Sequence, residues 1–108
     1  MTDHDWCAGP ALSLTTAVAD GAARVVACGE LDAGSREELA AAARAARARA
    51  DRVVLDLSRV DFVDAMGLRT LLDLHADAHV AIVGSPAVDR VLELAGARDR
   101  LHRRAGWA

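Results

Sequence analysis

The chain of 108 residues contains no Lys, Asn, Gln or Tyr, and only 3% of it is aromatic. With so few rings, Ala, Val and Leu must fill the core, which agrees with an apolar fraction of 53% and implies ordinary rather than high stability. The cationic side chains other than His are all Arg, the bias of GC-rich coding, which points to a bacterial source. A net charge of −3 is too weak to attract nucleic acid or a membrane over the whole surface. No apolar stretch approaches the roughly 20 residues that span a bilayer. The polar start, Met1 to Trp6, lacks the apolar core of a signal peptide. A cytoplasmic protein with no membrane insertion is expected. Cys7 and Cys28 show no metal or redox spacing; Cys28, in the apolar run Arg24–Gly29, reads as a buried structural thiol. There is no Gly-rich phosphate loop, nucleophile elbow or convincing Cys/His pair. These absences indicate a protein that is not an enzyme and needs no cofactor.

What is present is an alternation of short apolar runs and helical stripes. Residues 1–10 read as a leader, and 11–108 as one domain. Ala11–Ala19 and Ala22–Cys28 read as strands joined by Asp20-Gly21, a strong hairpin signal. Ser35 followed by Glu38 has the form of a capping box, and Leu39, Ala42, Ala43, Ala46 and Ala50 share one helical face. Val53–Leu57 is a near-continuous apolar run suited to a parallel strand covered on both sides. A loop, Ser58–Asp64, is expected next, carrying Val60, Phe62 and Val63 back into the core. A second helix follows, with Leu68, Leu71, Leu72 and His75 on its stripe. His79–Gly84 reads as a strand. Ser85 caps a third helix with Pro86 at its first position, a stripe of Val88, Val91, Leu92 and Ala95, and a stop at Gly96. One more strand is expected near Leu101. The order ββαβαβα, with that final strand, defines an α/β fold: a mixed sheet of four to five strands packed with helices.

The most informative segment is Leu55-Asp-Leu-Ser-Arg-Val-Asp-Phe-Val-Asp-Ala-Met-Gly-Leu68. Asp64 stands where its carboxylate can cap a helix and meet the positive end of its dipole. Gly67, inside that helix, is costly unless something packs tightly against it or the backbone must stay bare for a partner. This pattern resembles the STAS domain family, whose signature is close to Asp-Leu-Ser-x-Val-x-Phe-x-Asp-Ser-x-Gly-Leu. Gly29-Glu-Leu-Asp32 and Gly84–Gly96 resemble two further segments of that family, and the likeness runs from about Leu12 to Leu101.

The resemblance implies a non-enzymatic binding module like the anti-sigma factor antagonists. In those proteins the Ser after the signature Asp is phosphorylated by an anti-sigma factor with a kinase-like ATPase fold. Only the unphosphorylated form binds that partner. Here the phosphoacceptor position is Ala65, followed by Met66, so the hydroxyl is gone and the switch with it. The implied partner-binding residues are Glu30, Asp32 and Arg36 in one loop, and Asp64, Ala65, Met66, Gly67, Arg69 and Thr70 at the helix start. Two other readings follow from the same resemblance. One is a STAS subunit of a larger assembly, such as a lipid-transport ATPase or a stress-sensing complex; the other is nucleotide binding at the helix N-terminus, an end that attracts anions.

The remaining polar residues have blander readings. Asp64 serves equally well as a plain N-cap, and Met66 as core filling. Ser58, at an expected strand end, and Thr70, one turn into the helix, are expected to satisfy their hydroxyls on local backbone. His75 and His79 have metal-binding spacing only on a continuous helix, and a strand start at His79 breaks it. His4 between Asp3 and Asp5 reads as solvated tail, and no metal site is expected. The cluster Arg98, Arg100, Arg103 and Arg104 comes with no nucleic-acid reading motif, and no nucleic-acid partner is expected.

Overall fold

The computed structural model describes residues 11–96; the leader and the strand expected near Leu101 lie outside them. Its elements are β1 (Ser13–Ala19), β2 (Ala22–Leu31), α1 (Arg36–Arg49), β3 (Arg52–Val63), α2 (Ala65–His75), β4 (Val80–Gly84) and α3 (Pro86–Leu94). They form a mixed four-stranded sheet in the order β1-β2-β3-β4, with β1 antiparallel to β2 and the other pairs parallel. The hairpin turn places Asp20 at φ 53° and Gly21 at φ 76°, the left-handed pair that matches the twist of the flanking strands.

Two successive crossovers, β2-α1-β3 and β3-α2-β4, advance across the sheet in one direction, and the right-handed rule therefore sets α1 and α2 on the same face. The two helices touch each other there. Leu39, Ala43 and Ala46 of α1 are buried with Val25 and Ala27 of β2 and Val53, Leu55 and Leu57 of β3. Three of these helix and strand partners are alanines, so helix and sheet approach closely. α3 packs on β3 and β4 through Val88 and Leu92, while Ala95, expected on its stripe, is exposed. The buried Ser85 hydroxyl fixes this helix: it accepts from the Val88 N–H and donates to the Val60 carbonyl. No helix among the described residues is long and apolar enough to cross a membrane.

Three expectations are corrected. The segment 58–64 is not a loop: β3 runs on to Val63 beside an extended β2. It does so through register shifts, since Val26 to Cys28 opposes Asp56 to Arg59 and Gly29 to Glu30 opposes Val60 to Phe62. Each shift puts an extra residue into β3, which re-aims the side chains beyond it. Leu57, Val60 and Val63 then point inward, whereas Phe62 is 47% exposed. Second, the capping box does not form. The Ser35 hydroxyl donates to the Glu30 carbonyl and accepts from the Asp32 N–H, so it is not available to the helix. Third, Cys28 is disulfide-bonded rather than a free thiol.

Candidate partner-binding site

The site lies where the C-terminal ends of β2 and β3 release their chains into α1 and α2. Val63 ends β3 in the core, and Asp64 turns the backbone into α2 with φ −93° and ψ −177°. One Asp64 carboxylate oxygen accepts the Gly67 N–H at 2.8 Å, satisfying a helix-start donor. The other accepts the Ala33 N–H at 3.2 Å. The Asp64 N–H itself donates to the Leu31 carbonyl at 3.1 Å. Asp64 thus caps α2 and also staples the loop after β2 to it. The plain N-cap reading of Asp64 is thereby met.

Gly67 explains why the two segments come so close. A Cβ at this position would stand 2.6 Å from the Leu31 carbonyl oxygen and 2.9 Å from Leu31 Cγ. The first turn of α2 rests directly on the backbone at the end of β2, so the glycine is required by packing. The loop that follows is held by Asp32, whose carboxylate accepts the N–H groups of Gly34 and Ser35 at 3.0 Å each. Arg36, the first residue of α1, reaches across to α2, its guanidinium 3.5 Å from the Thr70 hydroxyl.

The expected residues fall into two groups. Ala65, Met66 and Arg69 are exposed on α2, and Glu30, Asp32, Arg36 and Asp64 are partly exposed around them. Gly67 and Thr70 are buried; they shape the surface from beneath and offer it no side chain. Thr70 meets Arg36 instead of bonding only local backbone. Ser58 sits within β3, away from any strand end, and both its N–H and its hydroxyl bond the Asp56 carboxylate, the hydroxyl at 2.6 Å. Burial acts to raise the Asp56 pKa, but the Ser58 and Arg24 hydrogen bonds outweigh it and the net shift is downward. His75 is buried at the end of α2, and His79 lies in the turn before β4 beside Asp77.

Sequence reasoning missed the apolar flanks. A groove of about 270 Å³ runs from Ala65 and Leu68 to Val91, Leu94 and Ala95 of α3. A second, of about 330 Å³, runs along α2 past Leu68 and Leu72. Ala65 and Leu68 line both. Leu94 is 81% exposed and Met66 39%. Leu94 falls outside the α3 stripe, which was the available signal. Phe62 gave none, because its outward turn depends on the register shifts of β3.

The chain belongs to the STAS domain family: the family model described as Mlab, STAS domain, matches residues 14–104. Among solved structures it is similar to an anti-sigma factor antagonist from Mycobacterium paratuberculosis, with 26% identity and a TM-score of 0.75 over 86% of this chain and 85% of that one. The anti-sigma factor antagonist SpoIIAA in its unphosphorylated form shares the fold, at 22% identity and a TM-score of 0.64 over 81% and 84% of the two chains. A STAS domain from Rhodobacter sphaeroides, also an antisigma-factor antagonist, is 28% identical, with a TM-score of 0.56 over 68% and 87%. No curated protein sequence matches the chain.

Proposed function

We propose that the protein is a non-enzymatic antagonist that binds an anti-sigma factor of the kinase-like type through the start of α2 and the neighbouring loop 30–36. The observation that carries this reading is the exposed Ala65 at the first position of α2, in a chain of this family, stapled through Asp64 to the loop that would share the contact. A phosphate at this helix N-terminus would find backbone N–H donors, and its charge of about −1.5 to −2 would oppose docking of an acidic or apolar partner surface. Ala65 has no hydroxyl, so this chain cannot receive that phosphate there. The protein then binds constitutively, without the switch.

Purified protein titrated against kinase-like anti-sigma factors of the same genome, with ATP and with ADP, tests the reading. Binding to one of them in both nucleotide states is expected; binding to none contradicts it. Ala65→Ser is expected to turn the chain into a substrate of that partner, with one phosphate read by mass spectrometry. The missing hydroxyl also favours a second reading, a permanently docked subunit of a larger assembly such as a lipid-transport ATPase or a stress-sensing complex. Copurification with transporter subunits instead of an anti-sigma factor distinguishes the two.

A further inference from the structure

β1 lies at the rim of the sheet: among the described residues only β2 pairs with it. In a hairpin closed by a two-residue turn, Ala19 and Ala22 form the hydrogen-bonded closing pair, and such pairs alternate from there. Ser13, Thr15 and Ala17 therefore turn their backbone groups to β2, while Leu14, Thr16 and Val18 turn theirs outward. The strand Ser-Leu-Thr-Thr-Ala-Val-Ala has no charge, no Pro and no register shift. Among the described residues, none of the usual devices that keep an edge from pairing protects it.

We propose that this edge binds a second copy of the chain, antiparallel, about a two-fold axis through Thr16. The backbone is self-complementary in that register. Thr16 faces the second copy's Thr16, and Leu14 faces the second copy's Val18, so the three residues with outward N–H and C=O groups face one another and can exchange them. The side chains agree. Leu14 and Val18 are only partly buried against the core, and the pairing sets each against the other, with a favourable Thr–Thr pair between them. On the opposite face of the strand, Thr15 meets Ala17. No like charges face each other.

The helix above supplies charge complementarity. The Asp51 N–H donates to the Gly21 carbonyl at 2.9 Å, fixing the C-terminal end of α1 at the start of β2. With rises of about 1.5 Å per helical residue and about 3.3 Å per strand residue, the midpoint between Glu38 and Arg49 stands level with about Val25. Val25 is the register partner of Thr16. Arg36 and Arg47 mark the side of α1 turned to α2, through Thr70 and, past α2's end, Asp77. Glu38, Ala42, Ala45 and Arg49 line the opposite flank at helical spacing. About the same axis, Glu38 faces the second copy's Arg49. Neither residue has an ion pair among the described residues. The two α1 helices would stand about three strand spacings apart, ~14 Å, too far for the alanines to touch but within reach of Glu and Arg. The start of α2, over β3 and β4, stays uncovered.

Sedimentation velocity of the full chain over a dilution series tests this, independently of any anti-sigma factor. A reversible monomer–dimer equilibrium is expected. Thr16→Lys sets two like charges at the axis and is expected to leave a monomer with an unchanged circular dichroism spectrum. Glu38→Arg is expected to weaken association about tenfold, and adding Arg49→Glu to the same chain to restore it. A monomer at every concentration, or a dimer indifferent to Thr16→Lys, overturns the proposal. A dimer indifferent to Glu38→Arg overturns the pairing of the helices.

Discussion

The carbonyl oxygen of Leu31 lies 2.6 Å from the point where a Cβ on Gly67 would sit. Because the obstacle is backbone rather than the tip of a flexible side chain, it yields only if α2 moves off β2. Gly67→Ala is therefore expected to destabilise the fold by about 1–3 kcal/mol, although alanine is the better helix former. Urea denaturation measures this. A more stable variant would show that α2 tolerates displacement.

Asp64 joins the same two segments through its side chain. Asp64→Ala removes the cap on Gly67 and the bond to Ala33, and is expected to cost about 1–2 kcal/mol. Asp64→Asn keeps an oxygen for the cap, so most of the stability should remain. The loop should report the difference: amide hydrogen exchange at Ala33 and Gly34 is expected to rise in both variants, because one amide oxygen cannot serve both donors.

A pH-dependent contribution comes from the far end of the helices. The Asp77 carboxylate, held first by the Arg47 guanidinium at 2.8 Å and then by the His79 N–H, has its pKa lowered from 3.8 to about 2. A depressed carboxylate stabilises the fold above its unfolded pKa and loses that contribution as pH falls through the folded value. Asp77→Asn is expected to be less stable than the parent at pH 6, with the gap closing between about pH 4 and pH 2. The gap should stay under about 1 kcal/mol, since Arg47 and Asp77 side chains are 34% and 37% exposed and solvent screens the pair. Thermal melts of both proteins across that range check the sign.

Much of this architecture was legible from local patterns. Asp20-Gly21 announced the hairpin, Ser85-Pro86 the start of α3, and Asp64 the cap of α2, because each is settled by its own few residues. What failed was non-local. Ser35 has the spacing of a capping box, but its hydroxyl is captured by Glu30 and Asp32 in the folded loop. Phe62 reads as core, and only the register shifts between β2 and β3 turn it outward. In the candidate site, the helix start and the loop were legible as segments. That Asp64 ties them together, and that Thr70 is buried under Arg36, depended on strands and helices meeting across more than thirty residues.

Ala65 carries the functional reading, and the most direct measurement is calorimetric titration of a kinase-like anti-sigma factor into the parent protein and into Ala65→Asp. The negative charge at an exposed helix N-terminus should leave the fold intact. The account predicts tight binding by the parent and at least about tenfold weaker binding by the variant. Equal affinity for the two proteins would contradict it, since the docking surface could not then include the start of α2.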